Sequence, residues 1–87
     1  MGYNLKISKE LDKKLAKLAK KDKQQIKAIG KKVQQILKNP YHFKPLRGDM
    51  KGSRRVHILK SFVLVYEIDE EKGEVRLLDY GHHDEVY

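Results

Sequence analysis

Residues 62–69, Phe-Val-Leu-Val-Tyr-Glu-Ile-Asp, constrain this chain more than any other stretch. Apolar side chains fall on both alternations of the run, so it reads as a central strand covered on both faces. Phe62 and Tyr66 share one of those faces and are read as core. The remainder must therefore supply flanking strands and a layer to lie over them. With 87 residues there is room for one small core, which predicts a single domain over 1–87.

The covering layer is legible upstream. Apolar residues recur at Leu11, Leu15, Leu18 and Ala19, then at Ile26, Ile29, Val33, Ile36 and Leu37, with lysines on the other faces. This is helical spacing in two segments. Ser8 is placed to cap the first, and Asp22 with Gln25 three residues later reads as a capping pair for the second. Asn39-Pro40 ends it. Tyr3 to Ser8 alternates as a short strand, Ser53 to Ile58 as another, and Glu74 to Tyr80 as a returning strand after the polar turn Glu70 to Gly73. The expected class is α+β in the order β-α-α-β-β-β. An antiparallel helical hairpin packs on one face of a mainly antiparallel four-stranded sheet, and the other face is left free to work.

The formal net charge is +8, from 20 Lys+Arg against 12 Asp+Glu. Such a field attracts polyanions, with nucleic acid first, an acidic protein second and an anionic membrane surface third. Lysine-rich ion-pair networks are the structural alternative. The chain has no cysteine, which excludes disulfides and thiolate metal sites. No run spans a bilayer and no signal-peptide pattern opens the chain, so no membrane partner and a cytoplasmic location are expected.

Chemistry concentrates between Phe43 and His57. Lys44, Arg47, Lys51, Arg54 and Arg55 crowd a loop with glycines at 48 and 52 and the start of a strand, a pattern suited to phosphate. On that strand Ser53, Arg55 and His57 share one face, and Val56 and Ile58 the other. His82 and His83 sit where the last strand ends, so a meander sets His57 and the tail on either side of the central strand. Two imidazoles near one phosphodiester divide acid and base work. RNA provides its own nucleophile, the 2′-hydroxyl, so neither metal nor cofactor is expected. His57, His82, His83 and Asp84 include metal-ligating types. Adjacent residues in an extended segment point oppositely, however, which argues against a metal site. The pair Glu70-Glu71 reads as a solubility feature of a turn. Tyr87 suits stacking on a base or packing as a terminal anchor.

Pro45-Leu46-Arg47-Gly48, Lys51-Gly52-Ser53-Arg54-Arg55-Val56-His57, Val63-Leu64-Val65-Tyr66-Glu67-Ile68 and the closing Gly81-His82-His83-Asp84-Glu85-Val86-Tyr87 resemble the RelE/ParE superfamily of type II toxins. Within it they look most like the YafQ branch, whose chain ends Gly-x-His-x-x-x-aromatic. The resemblance implies a RelE-like microbial ribonuclease fold and a metal-independent endoribonuclease that cuts ribosome-bound mRNA by 2′-oxygen attack. It implies His57 and His83 as the acid–base pair, Arg54 and Lys51 steadying phosphate, and Tyr87 supporting the substrate. It also implies a cognate acidic antitoxin, RelB- or DinJ-like, in a hetero-oligomeric complex, with ribosome and mRNA as the other partners.

Three positions depart from relatives. Val63 stands where RelE-like chains often carry arginine, which fits the YafQ branch. Lys44 and Ser61 replace the branch's histidine and aspartate, and His42 is near enough in sequence to substitute for the former. Two other readings keep the same fold: a ParE-like toxin inhibiting gyrase without catalysis, and a non-catalytic basic RNA-binding protein. The histidines favour the nuclease.

Overall fold

Two helices meet at Asp22, and this junction decides how their apolar stripes face the sheet. The computed structural model describes residues 3–43 and 53–86. Helix α1 spans Lys9–Lys21 and α2 spans Lys23–Lys38. Ser8 caps α1, its Oγ accepting from the Leu11 amide at 3.2 Å. Asp22 serves both helices: its amide donates to the Leu18 carbonyl at 2.7 Å, and its Oδ1 accepts from the Gln25 amide at 3.1 Å. Gln25 answers through Nε2, which donates to Asp22 Oδ2 at 2.9 Å. The expected capping pair is present, closed side chain to side chain. These bonds, Gln25's side chain first, hold the Asp22 carboxyl below its usual range.

The strands are β1 (Asn4–Ile7), β2 (Ser53–Ile58), β3 (Phe62–Asp69) and β4 (Glu74–His82), in the sheet order β1-β4-β3-β2. β2, β3 and β4 form an antiparallel meander, while β1 lies parallel to β4, with Leu5 opposite Val75 and Ile7 opposite Leu77. The sheet is therefore mixed, with one parallel pair at its edge. β3 occupies an inner place, as its two apolar faces require.

Register assigns the faces. Val56 and Ile58 of β2, Leu64 and Tyr66 of β3, and Val75, Leu77 and Tyr80 of β4 join Leu11, Ile29, Val33 and Ile36 in one core under the helices. Ile36, Ile58, Leu64, Tyr66 and Val75 are fully buried. Removing each such side chain from water stabilises the fold by about 1.5–3 kcal/mol before chain entropy is charged. Two buried tyrosines satisfy their hydroxyls across layers. Tyr66 donates to the Pro40 carbonyl and Tyr80 to Gln25 Oε1, each at 2.6 Å. Burial pushes both hydroxyls up to about 12, with Asp22 adding to the effect at Tyr80.

Three details depart from expectation. The face opposite the helices is not open throughout, because Val63 and Val65 are completely buried there and Gly81 is buried beside them. Solvent reaches that face at its margin, where His57 is exposed. The tail is also structured: β4 continues through His82, and the short helix α3 (His83–Val86) turns back against β4 and β3. Glu70 is more than a solubility residue. Its Oε1 accepts from the hydroxyl of Tyr3 at 2.7 Å and from that of Tyr41, tying both ends of the helical layer to the β3–β4 turn. Those bonds, Tyr41's first, hold the Glu70 carboxyl low, and Glu70 in turn pushes Tyr41 up to about 12.

Candidate active site

β2 is an edge strand, so the side chains at its margin meet solvent and α2 together. A cleft of about 390 Å³ opens there, lined among the described residues by Lys32, His42, Phe43, Arg55, Val56 and His57. Lys32 projects from α2, and His42 and Phe43 follow the end of that helix. Lys32 Nζ lies 5.7 Å from the centroid of the Phe43 ring, and the His42 ring meets Phe43 edge-on at 4.9 Å. Phe43 thus spaces one cation and one imidazole around the cleft wall. Two imidazoles and two cationic side chains around one opening suit an anionic ligand that needs protons moved.

Arg54 faces the other side of β2, because its register partner is the core residue Tyr66. Its Nη1 donates to the Phe43 carbonyl at 2.6 Å and to that of Tyr41 at 3.4 Å. Its guanidinium also lies 4.9 Å from the Tyr41 ring centroid. Arg54, expected to steady phosphate, here fixes the segment that carries His42. Of the other expected residues, Lys44, Arg47, Lys51 and Tyr87 lie outside the described residues.

His83 stands across β3 from the cleft. His57 pairs with Val63, and Val63 pairs with Gly81, two residues before His83. Two strand spacings put the backbones of His57 and Gly81 about 10 Å apart. The His83 amide donates to the Ser61 carbonyl at 2.9 Å, docking the start of α3 against the β2–β3 turn. Its Nδ1 lies 3.0 Å from Asp84 Oδ1, an orienting contact made through Nδ1 and not through Nε2. Its ring stacks on His82 at 4.6 Å and 30°, and His82 meets Phe62 edge-on at 5.9 Å. The expected opposition of neighbouring side chains does not hold here. The extended backbone ends at His82, and the helical turn at His83 brings the two rings together.

Lys32 is the lining residue that sequence reading missed. Lysine occupies nearly every outward position of both helices, so nothing local distinguishes this one. His42 carried a weak signal through its place ahead of Pro45-Leu46.

A four-stranded sheet with a helical hairpin on one face and imidazoles at its working edge defines a class that comparison with other proteins narrows. Residues 3–87 match the family described as "Bacterial toxin of type II toxin-antitoxin system, YafQ". The chain is 48% identical over 85 residues to a Methanocaldococcus jannaschii protein named "Putative toxin RelE4", covering 98% of this chain and 90% of that one. Among solved structures, an Escherichia coli RelE double mutant in the free state superposes with a TM-score of 0.76 at 27% identity, over 99% of this chain and 88% of that one. The E. coli DinJ–YafQ toxin-antitoxin complex gives 0.77 at 22%, over 100% and 99%. The chain belongs to the YafQ family of type II toxin-antitoxin toxins.

Proposed function

We propose that this toxin is a metal-independent endoribonuclease cutting mRNA on the ribosome. RelE/YafQ-family toxins cleave mRNA, and the observation that carries the reading is the cleft bringing His57 and His42 together with Lys32 and Arg55. The cations hold the phosphodiester. His57 and His83 act as the acid–base pair: one takes the proton of the 2′-hydroxyl as its oxygen attacks phosphorus. The other donates to the departing 5′-oxygen, and a cyclic phosphate remains. Lys44, Arg47, Lys51 and Arg55 are assigned to the RNA backbone, Arg54 to holding the segment that carries His42, and Tyr87 to substrate support. An acidic antitoxin is the cognate partner, in line with the antitoxin-bound state of E. coli YafQ. Its charge would meet the +8 of the toxin.

The test is cleavage of mRNA in a purified translation system. The wild type is expected to cut, and His57→Ala/His83→Ala, folded by circular dichroism, is expected not to. Undiminished cutting by that variant would refute the assignment. A gyrase supercoiling assay separates the ParE-like alternative. A second reading within the nuclease class has its own support: His42 lines the same cleft as His57, so His42 would replace His83 as the second imidazole.

A further inference from the structure

We infer that His82, His83 and Asp84 form a binding site for one divalent transition-metal ion of the zinc or copper type. One ligand atom from each residue lies within 4.8 Å of the others. The Nδ1 atoms of His82 and His83 stand 3.5 and 3.0 Å from the two Asp84 carboxylate oxygens. Two imidazoles and a carboxylate suit borderline transition metals, whereas calcium and magnesium call for oxygen donors throughout.

The backbone holds the three donors in place before any ion arrives. His82 is locked in β4 by its pairing with Phe62, and the His83 amide is bonded to Ser61. The Asp84 amide donates to His82 Nδ1 at 3.3 Å, a weak bond that an incoming ion would displace. The side chains of His82, His83 and Asp84 are 40%, 44% and 75% exposed, so an ion can enter and keep water on its remaining positions. The excess positive charge of the chain opposes cation binding at long range. The Asp84 carboxylate offsets it locally, as screening confines the general field to about 8 Å at physiological salt.

The consequence rests on the acid–base role proposed for His83. An ion on His83 Nδ1 takes the one lone pair of the neutral imidazole and fixes the proton on Nε2. The ring can then neither accept a proton nor form the imidazolium that donates one, so metal silences the nuclease and is no cofactor. Zinc titrated calorimetrically into the full-length toxin is expected to bind at one equivalent. Copper(II) should show two imidazole nitrogens by electron paramagnetic resonance. His82→Ala should remove one nitrogen and weaken zinc at least ~10-fold, as even outer-shell changes weaken metal sites by that much. Asp84→Asn, at an exposed position that leaves packing intact, should weaken zinc similarly. His42→Ala/His57→Ala should change neither readout. Absence of binding at micromolar protein, or binding indifferent to His82→Ala and Asp84→Asn, overturns the site. Cleavage inhibited in proportion to zinc occupancy, and restored when a zinc-selective chelator removes the ion, supports the regulatory role. Full cleavage at full occupancy keeps the metal site and refutes the acid–base role of His83.

Discussion

The cleft beside β2 and the turn at the end of β4 each carry two histidines, and their neighbours differ in charge. His42 and His57 share their opening with Lys32 and Arg55. His82 and His83 share theirs with Asp84. Cationic neighbours hold an anion, whereas a carboxylate orients an imidazole through Nδ1 and leaves Nε2 to exchange a proton. The comparison teaches that one row of the sheet, His57–Val63–Gly81, holds the cation-flanked imidazoles and the carboxylate-flanked ones apart by one buried strand. The two regions also hang from different tyrosines. Tyr66 holds the Pro40 carbonyl next to the segment carrying His42, and Tyr80 holds Gln25 one turn of strand from His82.

The largest expected effect decides which imidazoles work together. His57→Ala and His83→Ala should each reduce mRNA cleavage by about 10²–10⁴-fold, the usual size of a general acid–base contribution. The double variant should fall little further, since members of one catalytic unit are not additive. His42→Ala should cost less than tenfold. If instead His42→Ala is the severe variant and His83→Ala is mild, the division between the regions fails and the catalytic pair lies within the cleft. Cleavage counted per ribosome in single turnover makes the measurement.

The tyrosine anchors come next. Tyr66→Phe leaves the Pro40 carbonyl without its donor, and Tyr80→Phe leaves Gln25 Oε1 unpaired in a buried setting. Each should cost about 1–3 kcal/mol in urea unfolding at neutral pH. The two variants should differ in place: Tyr66→Phe should loosen amide protection around 40–43, and Tyr80→Phe around the α1–α2 junction. Alkali gives a second readout. Both hydroxyls are pushed up to about 12 from 10.0 when folded. The unfolded chain therefore loses those protons first, and stability present below pH 10 is lost as pH climbs through about 12. Each Phe variant should show a shallower alkaline decline than the wild type.

Much of the fold was legible because its signals are local. Ser8, the Asp22–Gln25 pair and Asn39-Pro40 announce helix ends within a few residues, and each does what its chemistry suggests. The β3–β4 turn was marked by Gly73, which adopts φ 63°. The β2–β3 turn carried no such mark, for Leu59 takes φ 55° with no glycine to announce it. Strand partnership was not legible either: alternation in residues 4–7 cannot say that β1 runs parallel beside β4. Four residues are too few for a helical period, which hid α3 and with it the stacking of His82 on His83. His57 could be placed on its face from alternation alone, whereas Lys32 enters the cleft by tertiary packing that no local pattern records.

The smallest effect lies in Glu70, which ties Tyr3 and Tyr41 to the β3–β4 turn on the cleft side of the comparison. Its carboxyl is held below 4.5 by the two tyrosine hydrogen bonds, Tyr41's the larger. The folded chain therefore binds this proton less readily than the unfolded chain. The contribution is fully present above pH 4.5 and is lost as pH falls through the lower folded value. Glu70→Gln should leave the urea midpoint nearly unchanged at acid pH below the lowered folded range, where the wild-type carboxyl is protonated, and lower it slightly near neutrality. Asp22, held low by Gln25, supplies the matching group on the tail side. The acid limb that survives in Glu70→Gln should be reduced further by Asp22→Asn. An acid limb unaltered by either change would show that these hydrogen bonds persist in the unfolded chain or contribute nothing to the fold, and would remove the link between the turn and the segment bearing His42.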